Sequence, residues 1–325
     1  MRILITGGAG FIGSNFIKHI MASCPDWQVV NLDKLTYAGN LDNLREVENN
    51  PNYKFVKGDI TNAVDVEKAI GGGVDKIINY AAETHVDRSI LSPEAFVRTD
   101  IIGTYTLLEV AKKHKVAQYI QISTDEVFGS IKEGSFNENS PFVPNSPYSA
   151  SKAGADHFCR AYFKTYNFPV IVTHSCNVFG FNAHPEKMMS LFITNLLENK
   201  KIPVYGQGEQ TREWLFVEDH CRAIEMIMEK GEPGEVYNIG SGFEKQNIEV
   251  AKFILTELGF GEEMIEYVKD RPGHDWRYSI NSKKLRELGW QPQVSWKEGL
   301  CRTIKWFKEN EDWWKKIKSR EQFAR

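Results

Sequence analysis

Short apolar runs rich in β-branched residues alternate, through the first half of the chain, with longer stretches whose apolar residues recur every three or four positions. The short runs are typical of buried strands and the longer stretches of helices. Six strand-like runs lie at residues 3–6, 29–33, 54–56, 76–79, 119–123 and 170–173. Strands that alternate with helices form a parallel sheet covered on both faces, because the crossover connections are right-handed. The sequence therefore predicts an α/β protein with a doubly wound parallel sheet.

The pattern changes after about residue 180, where turn signals become frequent and the regular alternation ends. With 325 residues the chain is long enough for about two domains. A helix-like stretch at 217–230 and a strand-like stretch at 236–239 are expected to return to the first sheet, and 296–318 is expected to form one amphipathic helix. We predict a Rossmann-type first domain at 1–180, with return segments near 217–243 and 297–325, interleaved with a second, smaller α/β domain at 181–216 and 244–296.

The charge balance limits the partners that the chain can have. Forty Lys and Arg residues against 43 Asp and Glu residues give a net charge of −3, whereas a protein that holds a nucleic-acid backbone needs a basic excess or block. The five cysteines and eight histidines show no spacing typical of disulfide frameworks or metal ligands. No apolar run reaches membrane-spanning length, and the N-terminus lacks the features of a signal peptide. We expect a cytoplasmic protein without a metal, and without nucleic acid or membrane as a partner.

A glycine-rich turn follows the first strand, and a helix is expected to begin near Ser14. Gly7 and Gly10 permit a tight turn in which backbone N–H groups approach a pyrophosphate, and Gly13 permits close packing of helix and strand. Asp33 lies twenty residues past Gly13, at the end of the second strand. A carboxylate there accepts hydrogen bonds from the ribose hydroxyls of NAD and repels the 2′-phosphate of NADP. The arrangement predicts NAD as the cofactor.

A tyrosine and a lysine four residues apart, Tyr148 and Lys152, lie on one face of a predicted helix. A lysine ammonium beside a phenol lowers the phenol's pKa, so that the phenolate can take a proton from an alcohol as hydride leaves the carbon. Thr124 ends the fifth strand, where its hydroxyl can bind the same alcohol. These three side chains predict hydride transfer.

Together these motifs resemble the extended short-chain dehydrogenase/reductase family, in which a glycine turn, a strand-end Ser or Thr and a Tyr-x-x-x-Lys pair recur. The resemblance covers nearly the whole chain. It is sharpest for the nucleotide-sugar 4,6-dehydratases that act on dTDP-glucose, because Asp125 and Glu126 directly follow Thr124. Further similar segments are 33–40, 81–89, 185–187 and 270–275. The resemblance implies an NAD-dependent hydro-lyase with dTDP-glucose as its substrate.

The resemblance also implies a role for each catalytic residue. Tyr148 takes the proton of the 4-hydroxyl while NAD takes hydride from carbon 4 of the hexose. Glu126 removes the proton from carbon 5, and protonated Asp125 donates to the departing 6-hydroxyl, after which hydride returns to carbon 6. Two adjacent carboxyls with opposite roles need pKa values that burial and mutual repulsion drive apart.

Motifs and resemblance together yield three sets of predicted site residues. The predicted catalytic residues are Thr124, Asp125, Glu126, Tyr148 and Lys152. The predicted NAD contacts are Gly7, Gly10, Phe11, Ile12, Gly13, Asp33, Lys34, Leu35, Thr36, Asp59, Ile60, Ala81, Ala82, Thr99, Tyr148, Lys152 and Val178. The predicted substrate contacts are Glu83, Thr84, His85, Thr124, Asn177, Lys187, Met188, Pro203, Tyr205, Arg212, Asn247, Arg271 and His274. Arg212 and Arg271 are expected to hold the diphosphate.

Family members pair through helices of the first domain, which implies a homodimer formed around residues 101–114 and 149–166. The chain departs from the family pattern at 177–181, which reads Asn-Val-Phe-Gly-Phe where Asn-Asn-Tyr-Gly-Pro is common, and at Ser241 and Trp276. These differences leave open the base, thymine or uracil, and the exact hexose.

Three alternatives remain from the sequence. They are a 4,6-dehydratase for another nucleotide sugar such as UDP-glucose, a nucleotide-sugar 4-epimerase, and an NAD-binding regulatory protein. An epimerase has no use for an acid and a base at carbons 5 and 6, so the paired carboxylates favour dehydration. A regulatory protein would not need the catalytic residues, all of which are present.

Overall fold

A parallel sheet of seven strands is the largest element of the computed structural model, which describes residues 1–320. The strands are β1 (Arg2–Thr6), β2 (Gln28–Asp33), β3 (Tyr53–Lys57), β4 (Lys76–Asn79), β5 (Gln118–Thr124), β6 (Val170–Ser175), β7 (Asn177–Phe179), β8 (Ile202–Tyr205), β9 (Thr211–Phe216), β10 (Val236–Ile239), β11 (Glu244–Gln246) and β12 (Ile265–Val268). The large sheet has the order β10-β6-β5-β4-β1-β2-β3. Its order reverses between β1 and β4, so a crevice opens there at the carboxyl ends of the strands. The predicted fold class is confirmed, and β1 to β6 correspond to the six strand-like runs.

Helices cover both faces of this sheet. The helices are α1 (Phe11–Ser23), α2 (Ala63–Ile70), α3 (Val86–Leu91), α4 (Pro93–Phe96), α5 (Gly103–Lys113), α6 (Pro147–Tyr166), α7 (Met188–Leu197), α8 (Val217–Lys230), α9 (Asn247–Leu258), α10 (Lys283–Glu287), α11 (Trp296–Glu309) and α12 (Glu311–Arg320). One face packs against α1 and α8, and the other against α2, α5 and α6. Within residues 1–320, no helix has both the length and the hydropathy that a membrane crossing requires.

A separate hydrophobic cluster forms where α7, α9, α11 and α12 meet two small sheets, of order β11-β9-β7 and β12-β8. Phe307 and Trp314 are fully buried in this cluster. The division of the chain into two domains stays a prediction, and this packing favours placing α11 and α12 with the second domain. Of the expected return segment, residues 321–325 lie outside the described residues.

Two predicted helix boundaries are wrong. The first helix begins at Phe11 and not near Ser14, because Gly10 is an extended N-cap whose carbonyl accepts the Ser14 N–H at 3.0 Å. The expected single helix at 296–318 is broken at Asn310, whose φ of −123° and ψ of 42° end α11. The break folds α12 back on α11, so that the rings of Trp306 and Trp313 lie 5.1 Å apart.

Candidate active site

The turn between β1 and α1 approaches neighbouring backbone so closely that glycine is required. Gly7 has a φ of +66°, and a Cβ there would lie 2.6 Å from the backbone nitrogen of Ala81. A Cβ at Gly13 would lie 2.5 Å from the Gly7 carbonyl oxygen. No side chain caps the first turn of α1, so its N–H groups are available to an anion such as a pyrophosphate.

Asp33 holds this turn from the end of β2. Its two carboxylate oxygens accept hydrogen bonds from the backbone N–H groups of Ala9 and Leu35, each at 2.8 Å. Burial raises the pKa of Asp33, an effect that these two hydrogen bonds oppose. Next to it, Lys34 forms an ion pair with Asp59 at 2.7 Å. Thus the predicted ribose-binding carboxylate also fixes the backbone that faces the pyrophosphate.

A cavity of about 350 Å³ opens at the carboxyl ends of the parallel strands. Most predicted site residues border it: Gly7, Gly10, Phe11, Ile12, Gly13, Asp33, Lys34, Thr36, Asp59, Ile60, Ala81, Ala82, Glu83, Thr84, Thr99, Thr124, Asp125, Glu126, Tyr148, Lys152, Asn177, Val178, Lys187 and Met188. It runs from the glycine turn to Tyr148, which is the course that a dinucleotide needs to reach the predicted catalytic groups.

Tyr148 and Lys152 lie on the first two turns of α6, whose start is fixed by a capping box between Ser146 and Ser149. The Lys152 Nζ donates to the carbonyl of Ile122 at 2.7 Å. Burial raises the pKa of the Tyr148 phenol, and nearby carboxylates raise it further, while a hydrogen bond with Thr124 lowers it. In the chain alone the net shift of the Tyr148 pKa is upward because burial dominates, and the lowering by Lys152 stays a prediction.

Asp125 and Glu126 begin a short 3₁₀ helix, Asp125–Phe128, directly after β5. Burial raises the pKa of the Asp125 carboxyl far above its usual range, and the charges of Glu126 and Glu213 add to the rise. Burial also raises the pKa of Glu126, but the charges of Arg271 and Arg212 oppose the rise. The Oδ2 atom of Asp125 is buried without a hydrogen-bond partner among the described residues. The two carboxyls therefore differ in environment, as opposite roles require.

Tyr278 contacts Glu126, and it was not among the predicted site residues. Its buried hydroxyl lies 3.3 Å from the Glu126 Oε2 and 2.7 Å from the Asp275 Oδ2. The guanidinium of Arg212 lies over the Tyr278 ring, 4.3 Å from its centroid. Tyr278 follows the segment 270–275 by three residues, so an extension of that segment could have found it.

Several predicted substrate residues are not among those that border the cavity. They are His85, Pro203, Tyr205, Arg212, Asn247, Arg271 and His274, and the predicted NAD contact Leu35 lies outside it as well. Arg212 is buried, and its guanidinium donates to the carbonyl oxygens of Thr211, Asp275 and Trp276 at 2.8 to 3.4 Å. Its phosphate-binding role stays a prediction, while its position fixes the backbone that carries Tyr278.

Arg271 and Lys187 are better placed for an anionic ligand. The Arg271 Nε is buried without a partner among residues 1–320, and its Nη1 lies 3.7 Å from Asp87. Lys187 borders the cavity and donates to the carbonyl of Thr84 at 2.8 Å. Asn247 also has a buried, unpartnered side-chain oxygen in the described part of the chain.

The two predicted substrate histidines are held by neighbours. Burial lowers the pKa of His85 to about 4, and His85 accepts the N–H of Arg88 as the cap of α3. Burial also lowers the pKa of His274 to about 4, and its ring lies 2.6 Å from Asp270 and edge-on to Tyr205. Both are neutral at pH 7. In residues 1–320, no group of three His, Cys, Asp or Glu side chains could hold a metal ion.

Comparison with known proteins places the chain in a family. The sequence pattern of the family described as GDP-mannose 4,6 dehydratase matches residues 4–303. The chain belongs to this family. The dTDP-glucose 4,6-dehydratase of Streptomyces niveus is 47% identical over 98% of this chain and 96% of that protein. The resemblance on which the sequence analysis relied is therefore confirmed.

Solved structures in this dehydratase family have the same fold. DesIV, a dTDP-glucose 4,6-dehydratase of Streptomyces venezuelae solved with NAD bound, matches with a TM-score of 0.96 and 47% identity over 98% of this chain and all of that one. A UDP-glucose 4-epimerase of Thermotoga maritima matches with a TM-score of 0.89 and 29% identity over 96% and 100% of the two chains. Because both activities occur on this fold, only the site residues can separate them.

Asp100 is a second residue that the sequence analysis missed. It is buried in a π-helical turn, Val97–Ile102, which leads into α5. Its carboxylate accepts hydrogen bonds from the Ser151 hydroxyl at 2.6 Å and from the backbone N–H of Glu83 at 3.0 Å. It thus joins the loop after β4 to α6, beside Lys152. An acidic residue in an otherwise apolar helical pattern is the signal that could have identified it.

The Asp100 carboxyl is predicted to destabilise the fold at high pH. Burial raises its pKa from 3.8 to about 7, so between these values the unfolded chain releases a proton that the folded chain keeps, and rising pH favours unfolding. Asp100→Asn removes this pH-dependent destabilisation. It should raise the free energy of unfolding by at most about 4 kcal/mol at pH 8 and by less at pH 5. Urea unfolding at both pH values measures it.

The control is Asp26→Asn, at an exposed carboxyl before β2. Its effect should be small and similar at both pH values. An Asp100→Asn variant whose stability parallels that of the wild type across pH 5 to 8 would contradict the assignment.

Proposed function

We propose that the chain is an NAD-dependent hydro-lyase that converts dTDP-glucose to dTDP-4-keto-6-deoxy-glucose, a step of deoxysugar biosynthesis. One observation carries the proposal: the adjacent carboxyls of buried Asp125 and half-buried Glu126 border the same cavity as Tyr148 and Lys152. Tyr148 and Lys152 suffice for oxidation and reduction at one carbon, whereas loss of water needs an additional acid and base. The identity to relatives named dTDP-glucose 4,6-dehydratase supports the same reaction and substrate.

The glycine turn and its neighbours fit NAD. Phe11 and Ile12 present backbone N–H groups to a pyrophosphate, Asp33 lies where a ribose is expected, and Thr99 and Val178 border the cavity further along. Bound NAD supplies a hydride acceptor at carbon 4 of the nicotinamide and returns the hydride later. DesIV and a relative from Bacillus anthracis were solved with NAD bound, in agreement with this assignment.

Proton transfer at the sugar 4-hydroxyl is assigned to Tyr148. The phenol hydrogen-bonds Thr124, whose hydroxyl is then positioned to contact the same sugar oxygen. The Lys152 ammonium, four residues along the same helix, is assigned to stabilise the phenolate form by its charge, against the burial that favours the neutral form. Removal of the 4-hydroxyl proton allows carbon 4 to become a ketone, which acidifies the hydrogen on carbon 5.

Elimination of water is assigned to the adjacent carboxyls. Asp125 is the acid that protonates the departing 6-hydroxyl, since burial and two neighbouring carboxylates raise its pKa and keep it protonated. Glu126 is the base at carbon 5, since Arg271 and Arg212 favour its charged form and Tyr278 lies within hydrogen-bonding distance of its Oε2. Glu126 later returns its proton to carbon 5.

The diphosphate of the substrate is assigned to Lys187 and Arg271. Lys187 reaches the cavity directly, and Arg271 has an unpartnered buried N–H. Glu83, Thr84 and Asn177 border the cavity near the catalytic groups and supply polar contacts to the sugar. We place the enzyme in the cytoplasm.

A homodimer is part of the proposal. α6 and the helical segment before it expose large apolar side chains, among them Val97, Ile102, Tyr105 and Phe158, each at least 39% exposed. Tyr105 and Phe158 are in contact, with ring centroids 6.1 Å apart, and exposed apolar side chains grouped in this way are typical of a surface covered by another chain. A second copy of this chain is the proposed occupant, and a monomeric sedimentation coefficient at micromolar concentration would overturn it.

The dehydratase is expected to form a 4-keto sugar from dTDP-glucose and to do so faster than from UDP-glucose. Incubation of the purified protein with each nucleotide sugar, followed by the alkaline absorbance of the 4-keto product, measures both rates. Absence of product from both substrates would refute dehydration. Faster turnover of UDP-glucose would refute only the thymine preference.

Replacement of the proposed acid should separate oxidation from elimination. Asp125→Asn keeps the shape of the side chain but cannot donate the same proton, so turnover should fall about 10²- to 10⁴-fold while carbon 4 oxidation continues. A stopped-flow trace at 340 nm should show reduced cofactor accumulating.

Glu126→Gln is the matched comparison. It should abolish exchange of the carbon 5 hydrogen with deuterated solvent, whereas Asp125→Asn should retain that exchange. Unchanged turnover of Asp125→Asn would remove Asp125 from the mechanism.

A further inference from the structure

The C-terminal helix α12 is hydrogen-bonded to the glycine-rich turn through one side chain. The indole N–H of Trp313 in α12 donates to the Asn43 Oδ1 at 2.9 Å. The Asn43 Nδ2 in turn donates to the carbonyl of Ala9, inside the turn, at 2.9 Å. Trp313 lies beyond residue 303, where the family match ends. The contact is therefore made by a part of the chain that the family pattern does not cover.

The peptide unit between Ala9 and Gly10 is held at both ends. Its carbonyl oxygen accepts the backbone N–H of Asn40 at 3.0 Å as well as the Asn43 side chain. Its N–H, from Gly10, donates to the Gly7 carbonyl at 3.1 Å. A rotation of this peptide would redirect the N–H groups at the start of α1. The bonds to Asn40 and Asn43 therefore fix the direction of the groups that face the dinucleotide.

Asn43 connects three parts of the fold. It is 4% exposed, and its Oδ1 accepts from the Asn182 amide at 3.3 Å as well as from Trp313. Asn182 follows β7, and Asn43 lies in the short 3₁₀ helix Leu41–Leu44 that follows the loop beside Asp33. With one side-chain N–H on Ala9 and its oxygen held by two donors, Asn43 has a single amide orientation.

Trp313 is itself fixed by α11 and by the surface of α12. Its ring packs edge-on to Trp306 at 5.1 Å and lies 6.3 Å from Phe307. One turn along, Lys316 pairs with Asp42 at 2.8 Å, next to Asn43. These contacts already restrict the indole of Trp313. The hydrogen bond to Asn43 therefore costs little further side-chain conformational entropy.

We propose that Trp313 is a positioning residue for NAD and that it slows release of the dinucleotide by orienting Asn43 and, through it, the Ala9–Gly10 peptide. The inference rests on the proposed function only in taking NAD as the ligand. It adds that the length of time for which NAD stays bound depends on a helix remote from the dinucleotide. A residue that only stabilised the fold would change unfolding without changing release of NAD.

The test compares two tryptophans of one aromatic cluster. Trp313→Phe keeps a ring but removes the donor to Asn43, and Trp306→Phe makes the same change at a neighbour of that ring. Rapid mixing of each NAD-loaded protein with excess of a fluorescent NAD analogue measures the dissociation rate of NAD. We expect Trp313→Phe to release NAD about fivefold faster, the effect of losing one hydrogen bond, and Trp306→Phe to release it at the wild-type rate.

A double-mutant cycle tests the route through Asn43. Asn43→Leu should also speed NAD release, and adding Trp313→Phe to it should have no further effect, because both act through one contact. Thermal unfolding of the NAD-free proteins should show a small loss for both variants, larger for Trp313→Phe because only Trp313 gives up a hydrogen bond, while faster release of NAD should appear in Trp313→Phe alone.

The outcomes separate the inference from the proposed function. Equal release rates in Trp313→Phe and wild type, or additive effects in the double variant, would overturn the inference and leave the dehydratase proposal standing. A wild-type protein that binds no NAD would overturn the cofactor assignment itself.

Discussion

The approach of the glycine-rich turn to the end of β4 is the constraint on which the rest of the site depends. The backbone of Gly7 comes so close to Ala81 that a single methyl group would collide with it. This contact lies at the switch point of the sheet, between β1 and β4, where the crevice opens. One cavity is then bordered by the ends of β1, β2, β4, β5 and β6. Residues that are far apart in the chain therefore meet there, and no long loop is needed to bring them together.

Carboxyl groups largely shielded from water lie at the cavity: Asp33, Asp125 and Glu126 border it, and Asp100 is hydrogen-bonded to the backbone of Glu83 in its wall. Asp33, Asp100, Asp125 and Glu126 all have their pKa raised chiefly by burial. Such groups lower the stability of the fold, and they persist where a reaction needs them. The neighbouring charges that add to or oppose this rise in pKa differ between Asp125 and Glu126. Two arginines, Arg271 and Arg212, oppose the rise in the Glu126 pKa, whereas the charges of Glu126 and Glu213 add to the rise for Asp125, which only Arg212 opposes among the arginines. In the proposed mechanism this difference makes Asp125 the acid and Glu126 the base.

The sequence predicts the parallel sheet well because its strands are buried on both faces and appear as continuous apolar runs. The glycine turn, Thr124 to Glu126 and the Tyr148–Lys152 pair are also predictable, since each is local in the chain. Tyr278 and Asp100 are harder to predict, because the contacts that reveal their roles, to Glu126 and Ser151 respectively, are with residues distant in sequence. The break at Asn310 was missed for a related reason: the aromatic pattern runs through it, and only packing on α11 reveals the bend.

The net charge of −3 gives no sign of this arrangement, because it counts the charges of the whole chain and does not say where they lie.

The 3₁₀ turn Asp125–Phe128 has a consequence for how the chain can change in length. In the proposed mechanism Asp125 and Glu126 act on the 6-hydroxyl and on carbon 5 of one hexose, and both are carried by a turn that begins where β5 ends. An insertion of one residue between Thr124 and this turn would rotate both carboxyls away together. In the stretch at 130–145, backbone hydrogen bonds of Ile131, Phe136 and Val143 hold the chain to its neighbours, and only the tip at 132–135 is an exposed run of four residues. Insertions and deletions can therefore accumulate at that tip, while the four residues Asp125–Phe128 keep a fixed spacing from the strand.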